Sequence, residues 1–490
     1  MGDILFEGDG AAYATTRAAD ENFEPTKHET FQRRLQEARA FGRASNSLAS
    51  TSPELSAKFG LSAGQRFGAW AMCGAVTFAA VSDPAALWAG FTALLGIVFS
   101  LLILMRLAAV AAMPVVRSAQ PPRRVADDDL PPLSILIPLY KEDAVVGSLI
   151  EAIQKLDYPP KKLDVKLLIE ADDEKTLSAI ERVQPPPWFE TIPVPPGEPR
   201  TKPKALNYGL DFTRGEIIAV FDAEDHPSPG QPRAAVAAFR SGPRNLAVVQ
   251  APLLIHNGQD GWLTRQFEIE YAIHFRIWLP FLAWLRVPLA LGGTSNYFQR
   301  DRLTKAGGWD AWNVTEDADL GLRLARFGGA AAMISEPTWE EAPSHLPTWL
   351  NQRTRWMKGH LQTWIVLMRQ PLAAARGMGI RNFLSVLLTL GGSILASTMH
   401  APILLWLTVG LFTPFVTLEG WQAVLFGMGY SGVLAAAFAT RTTHAKLWTL
   451  LSLPLYWPLM SIAMLRALYE MKIRPHFWAK TPHGKTPRAR

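Results

Sequence analysis

The chain has 490 residues, 49% of them apolar and 19% charged, with a formal net charge of +6 and one cysteine. That length allows two or three structural units, and the charge content is lean for a soluble domain. A single cysteine excludes a disulfide framework, and a modest positive charge without a basic, aromatic-interleaved stripe argues against nucleic acid as a partner.

Residues 1–65 are polar and show no apolar signal-peptide core. They are expected to form a cytoplasmic extension: a helix around Phe31–Phe41, then a Ser/Ala-rich linker from Arg43 to Ser52. Apolar runs follow at 67–81 and 85–113, separated by Ser82-Asp83-Pro84, and the chain is again mostly apolar from about 382 to 467. Because a helix needs about 20 apolar residues to cross a bilayer, two spans (66–113) are expected before a polar middle and about four (373–471) after it. Arg117, Arg123 and Arg124, and the basic tail 472–490, place both anchors in the cytoplasm. Arg441, His444 and Lys446 would then face outward, against the same rule.

The polar middle, residues 114–372, opens on the strand-like run Leu133–Leu139 after a connector. A helical pattern follows from Ala144, then two more apolar strands, Val165–Ile169 and Ile217–Phe221. Apolar strands separated by helices predict a sheet covered on both faces, with ligands beyond the carboxyl ends of its strands. Tyr140-Lys-Glu142, Glu170-Ala-Asp-Asp173 and Asp222-Ala-Glu-Asp225 all fall at such ends, which predicts one anionic cleft. Further on, residues 258–290 and 349–364 carry aromatics and arginines at near-helical spacing, as helices at a membrane interface do.

Three strings in this order, Asp222-Ala-Glu-Asp225, Thr315-Glu-Asp317 and Gln352-Arg-Thr-Arg-Trp356, resemble the family 2 glycosyltransferases. The likeness is greatest to the membrane-embedded processive branch of cellulose, curdlan and hyaluronan synthases. It implies an α/β fold: a GT-A-like, Rossmann-type mixed sheet domain inserted between transmembrane helices. It also implies the roles of individual residues. Asp317 matches the base. Tyr140, Glu142, Asp172, Lys204 and Asp222 match the donor contacts, with Lys204 reaching the diphosphate. Asp222 with Glu224 matches the pair that holds Mg2+ or Mn2+, although Asp225 offers itself as the second ligand. Thr294, Glu316, Gln352, Arg353, Arg355 and Trp356 match the acceptor and diphosphate site. Asp319 reads as a helix-start charge.

The chemistry suits these residue types. Hard oxygen ligands hold Mg2+ or Mn2+, which offsets charge on a leaving diphosphate, and a positioned carboxylate can take the acceptor's proton. One base without a carboxylate nucleophile predicts inversion. The expected activity is therefore polymerisation of a UDP-sugar, with UDP-glucose as the best guess, into a β-linked polysaccharide that the protein itself translocates. The alternatives are transfer of a single sugar to a lipid carrier, and a transport or adsorption protein without turnover. The implied partners are the UDP-sugar, the growing polysaccharide, membrane lipids and possible accessory export subunits, with no nucleic acid. The implied place is a bacterial inner membrane, multi-pass, with the catalytic domain cytoplasmic. One departure stands out, in that Phe412-Thr-Pro-Phe-Val-Thr417 only echoes the gating segment of cellulose synthases; the tail string Pro475–Gly484 resembles the endings of other bacterial members and has no assigned chemistry.

Overall fold

The computed structural model describes residues 27–118, 125–413, 420–440, 442 and 446–478. The chain begins with α1 (Lys27–Thr51), α2 (Ala63–Ser82) and α3 (Pro84–Ser118). The middle contains β1 (Leu133–Leu139), α4 (Val146–Gln154), β2 (Leu163–Glu170), α5 (Glu174–Val183), β3 (Phe189–Val194), α6 (Lys202–Leu210) and β4 (Ile217–Val220). It continues with β5 (His226–Pro227), α7 (Gln231–Ser241), β6 (Leu246–Gln250), β7 (Leu253–Ile255), α8 (Trp262–Ile273), α9 (Leu279–Trp284), β8 (Asn296–Gln299) and α10 (Arg300–Lys305). Then come α11 (Glu316–Arg326), β9 (Ala330–Met333), β10 (Thr338–Glu340) and α12 (Leu346–Leu367). The last part holds α13 (Pro371–Met378), α14 (Ile380–Val386), α15 (Gly392–Phe412), α16 (Gly420–Thr440), α17 (Leu447–Leu451) and α18 (Leu453–Ile473).

Seven strands form a mixed sheet in the order β3-β2-β1-β4-β8-β6-β9. β1 pairs in parallel with both β2 and β4, while β8 runs antiparallel to β4 and β6. The continuous apolar runs predicted as strands are central because both of their faces are covered. Ile150, Ile180 and Val236 of α4, α5 and α7 pack on one face, and Leu206, Leu303 and Leu320 of α6, α10 and α11 on the other. The order places β2, β1 and β4 side by side, so their three acidic ends share one edge. A small sheet, β5-β10-β7, sits where β4 gives way to the loop after Asp222.

Among the described residues, three helical stretches are long and apolar enough to cross a membrane: Pro84–Arg117, Ile380–Phe412 and Gly420–Thr440. This is fewer than the two-before, four-after layout expected from the sequence. α2 is diluted by Gly64, Gln65, Arg66, Gly68 and Gly74, and it starts against α12, where the Gln65 amide donates to the Ile365 carbonyl at 2.8 Å. α18 lies lengthwise along α12: Trp349 donates to the Tyr456 hydroxyl at 3.0 Å near one end, and Lys358 meets Glu470 at 3.1 Å near the other. Both helices nevertheless expose large apolar side chains, Phe67, Trp70 and Phe78 on α2 and Leu455, Leu465 and Tyr469 on α18. α16 ends on the side of the sheet domain, since Arg117 and Arg276 donate to the carbonyls of Ala439 and Thr440. Arg441 and His444, which opposed the charge rule, lie outside the described residues, as does most of the Phe412–Thr417 string.

The N-terminal segment departs from expectation. The stretch read as a linker is the second half of α1, which packs against α6. Asp310 accepts from the Ser56 hydroxyl at 2.9 Å and the Ala57 amide at 2.5 Å, while Arg369 donates to the carbonyls of Pro53, Ser56 and Gly60. Residues 27–60 are thus bolted to the back of the sheet domain.

Candidate active site

The site grows from the end of β4. The Asp222 amide donates to an Asp225 carboxylate oxygen at 2.7 Å and to the Thr294 hydroxyl at 3.2 Å, and Thr294 donates to Asp225 in turn. Asp225 thus braces the turn through Oδ2 and is fully buried, its Oδ1 without a partner among the described residues, while Asp222 and Glu224 line the cavity. Burial, then the neighbouring Asp222 and Glu224, push the Asp225 carboxyl well above the usual carboxylate range. Glu340, at the end of β10, is raised likewise by burial and then by Asp225, Glu224 and Asp222.

A loop between α9 and β8 brings the base candidate opposite. Asp317 and Asp222 each place a carboxylate oxygen near the point a Cβ on Gly293 would occupy, at 3.3 and 4.0 Å. Their separation cannot exceed the sum of those distances, which is within the reach of a single bound ligand. The Lys202 ammonium bridges this space, 2.5 Å from Asp222 and 2.6 Å from the Gly293 carbonyl. Burial alone would lower its pKa, but Asp222, Glu316 and Asp317 outweigh that and hold it above its ordinary range.

α12 fixes Thr315-Glu-Asp317. Gln362 accepts from the Val314 amide at 3.0 Å, and Asn313 donates to the Thr363 hydroxyl at 3.0 Å. A Cβ on Gly359 would fall 2.1 Å from the Thr315 hydroxyl, so only glycine allows this approach. Burial, then Asp317, raises the Glu316 carboxyl to about 7, and burial raises Asp317 itself against the pull of Lys202. Asp319 is held 2.9 Å from Arg323 in a buried ion pair, a structural role that matches its reading as a helix-start charge.

Of the residues named from the sequence, Tyr140, Glu142, Asp222, Glu224, Thr294, Glu316, Asp317, Gln352, Arg353, Arg355 and Trp356 all line one cavity of about 1160 Å3. Two do not. Asp172 is exposed and paired with Arg200, whose guanidinium covers the Tyr140 ring at 4.3 Å. Lys204 is buried, 3.1 Å from Glu170, and it is Lys202 that faces Asp222. Lys202 and Lys204 are two positions apart on α6 and so point to different sides. Arg353 is engaged by Glu270 in a two-pronged pair at 2.6 and 2.7 Å and lies between Phe267 and Trp356, each 4.5 Å away. Among the described residues Arg355 has no such partner carboxylate; it lies against Trp478 at 5.6 Å and acts electrostatically on Glu316 and Asp317.

Sequence reading missed Lys202, Arg200, Glu340 and the C-terminal segment. The buried Lys358 ammonium donates to the Phe477 carbonyl at 2.8 Å, and the Gln362 amide to that of Pro475 at 3.0 Å. These bonds bring His476, Phe477 and Trp478 to the cavity wall. The one signal for Lys202 was the doubled lysine of Lys202-Pro-Lys204.

Among the described residues no three acidic, histidine or cysteine side chains gather closely enough to hold a metal unaided. The donor set nevertheless fits Mg2+ or Mn2+. Asp222 and Glu224 are two hard oxygen ligands on one turn, and such ions commonly take one or two carboxylates and complete their shell with substrate phosphates and water. The crowding of carboxyl groups there is what a cation would relieve.

Residues 131–359 match the family described as "Glycosyltransferase like family 2". Curated relatives include the probable glycosyltransferase YdaM of Bacillus subtilis, 28% identical over 47% of this chain and 56% of its own length. Another is the beta-monoglucosyldiacylglycerol synthase of Synechocystis, 25% identical over 52% of this chain and 54% of its own. A third is the probable glucomannan 4-beta-mannosyltransferase 6 of rice, 28% identical over 48% of this chain and 43% of its own. The chain thus spans about half the length of these relatives. Among solved structures, the mannosyltransferase PcManGT from Pyrobaculum calidifontis in complex with GDP-Man and Mn2+ aligns with a TM-score of 0.50 at 17% identity, over 76% of this chain and 97% of that one. That likeness is one of fold, GT-A-like, and agrees with the mixed sheet and its acidic edge. Residues 131–359 form a glycosyltransferase family 2 domain.

Proposed function

We propose that the protein is an inverting, metal-dependent membrane glycosyltransferase that polymerises a UDP-sugar, best UDP-glucose, into a β-linked polysaccharide and passes the product between its own membrane helices. The observation that carries this reading is the single cavity. It runs from Lys202, Asp222 and Asp317, past Trp356, to Trp406, Trp421 and Trp457 of the membrane-side helices. Indole faces are broad enough for pyranose rings to stack on, and their N–H groups can hydrogen-bond sugar hydroxyls.

Asp317 takes the proton of the acceptor hydroxyl as it attacks the sugar's anomeric carbon. Lys202 and Arg355 supply fixed positive charge to the departing diphosphate. Asp222 and Glu224 would hold Mg2+ or Mn2+, which supplies further neutralisation of that charge. Tyr140, Glu142 and Arg200 border the nucleotide end, and Trp356 offers its face to the acceptor. In this reading the domain is cytoplasmic, in a bacterial inner membrane crossed several times. Incubation of the full chain with labelled UDP-glucose should give products of many sugars, abolished by EDTA and restored by Mg2+ or Mn2+. Indifference to chelator would remove the metal from the scheme.

A second reading, transfer of one sugar to a lipid, is favoured by the apolar walls of the membrane half of the cavity. It also draws on relatives that are named beta-monoglucosyldiacylglycerol synthases. Lipid products bearing a single sugar would decide for it.

A further inference from the structure

The membrane half of the cavity holds a charge that the proposed reaction does not use. Arg106 lies within the apolar helix α3, lines the cavity, and has no hydrogen bond or ion pair among the described residues. The Cδ of its side chain comes 3.9 Å from where a Cβ on Gly432 of α16 would be, so it lies in the seam between α3 and α16. Across the cavity on α15, His400 stacks on Trp457 at 5.7 Å, its Nδ1 is buried without a partner, and its ring is within Coulombic reach of Arg106. Ionisable groups at membrane depth are expensive and ordinarily find a partner or a ligand.

Three observations describe the ligand. The unpaired guanidinium requires an anion, and its planar fork of donors suits phosphate oxygens. The walls around it are apolar, with Leu102, Ile103, Leu407 and Val433 among the lining residues, so the anion must be attached to an apolar body. Trp88 and Trp421, also in the lining, are 46% and 42% exposed, and present broad apolar faces that an acyl chain would cover. Arg106 stands one turn from Ala109 and two from Met113, both buried in the main core, and so lies towards the end of α3 that packs on α9. The headgroup of a lipid in the adjacent leaflet can reach that level.

We propose that Arg106 and His400 form a binding site for the phosphate of an anionic membrane lipid, whose tails complete the wall between α3, α15 and α16. This goes beyond the glycosyl transfer and does not depend on which acceptor that reaction uses.

The test uses the full chain purified in detergent and two photoreactive probes with identical tails, a phosphatidylglycerol and a diacylglycerol. The phosphatidylglycerol should label α3, α15 or α16 at least about tenfold more than the diacylglycerol, as expected where a charge-assisted contact is made by only one of them. Arg106→Gln should remove that preference, Arg106→Lys should keep part of it, and His400→Ala should lower it. Equal labelling by both probes overturns the proposal. So does full displacement by inorganic phosphate, which would make the site one for a soluble anion. Should Arg106→Gln not survive purification, the comparison of the two probes on the wild-type chain decides alone. No arm reads turnover, so a failure here is separate from a failure of the proposed transferase activity.

Discussion

Buried charges on the two flanks of α12 follow opposite rules. Towards the helices α8 and α18 they are matched: Arg353 with Glu270, and Lys358 with Glu470. Towards the sheet edge they are crowded and mismatched, with Asp222, Glu224, Asp225, Glu340, Glu316 and Asp317 around the cations Lys202 and Arg355. Matched pairs hold one helix to the next and ask nothing of a ligand. A surplus of one sign persists in a folded protein only where function needs it, because each like-charge neighbour costs stability. The mismatch therefore marks the reacting end of the cavity more reliably than any single motif.

The largest expected effect lies on the mismatched side. Asp317→Asn keeps the shape and removes the proton acceptor, so turnover should fall by about 10^2 to 10^4, while UDP binding measured by calorimetry stays close to wild type. Turnover within a few-fold of wild type would take Asp317 out of the role of base and dissolve the contrast.

On the matched side the readout is stability. Lys358→Met or Glu470→Gln alone leaves a buried charge or polar group without its partner, a loss of about 3–5 kcal/mol for such pairs. Thermal unfolding in detergent should show each single variant well below wild type. The double variant Lys358→Met/Glu470→Leu should recover most of the difference. Because Lys358 also anchors the Phe477 carbonyl, the single variants should lose activity along with stability. Unchanged melting would mean that the pairing is incidental.

The hinge between the two flanks is Gly359. Alanine there would drive a Cβ into the Thr315 side chain, a misfit of the kind that costs about 1–3 kcal/mol. Relief requires Thr315 to move, and Asp317 moves with it. The expected signature is a reduced kcat with little change in donor affinity. An unaffected kcat would show that α12 does not position the base.

The same contrast explains what could be read from the sequence. The sheet edge was legible because β1, β2 and β4 are buried, largely apolar runs, and the polar residues that interrupt them, Ser134, Asp164 and Lys166, satisfy one another. Their acidic ends followed from chain order alone. The matched side was not legible, because it is built from partners far apart in the chain, such as Lys358 with Glu470 and Asp310 with Ser56. The pairing of α18 with α12 was equally hidden, because Tyr456, Met460, Met464 and Ala467 are buried while Leu455, Leu465 and Leu468 on the same helix are exposed, and composition alone does not tell the two faces apart. Lys202 and Lys204 show the limit at finer scale: the string Lys-Pro-Lys contains both, and only the orientation of α6 decides between them. Lys202→Met should weaken UDP binding or slow transfer, whereas Lys204→Met should lower the melting temperature by stranding Glu170. Kinetics and melting on both variants would show whether the swap is real, and reversed outcomes would return the diphosphate to Lys204.

The smallest expected effect concerns pH. Glu316 is raised from 4.5 to about 7 and Asp317 is also raised, so the folded chain holds these protons more tightly than the unfolded one does. Stability contributed at low pH is then lost as pH rises through that window. Turnover runs the other way, since Asp317 accepts a proton only as the carboxylate. The two groups titrate as a pair. Glu316→Gln removes the charge that competes with Asp317, so the acidic limb of kcat/KM should move to lower pH and the loss of stability between 4.5 and about 7 should shrink. An acidic limb that stays in place would mean that the proton lost in turnover is not shared between these two carboxyl groups, and that the mismatch at the sheet edge serves the donor alone.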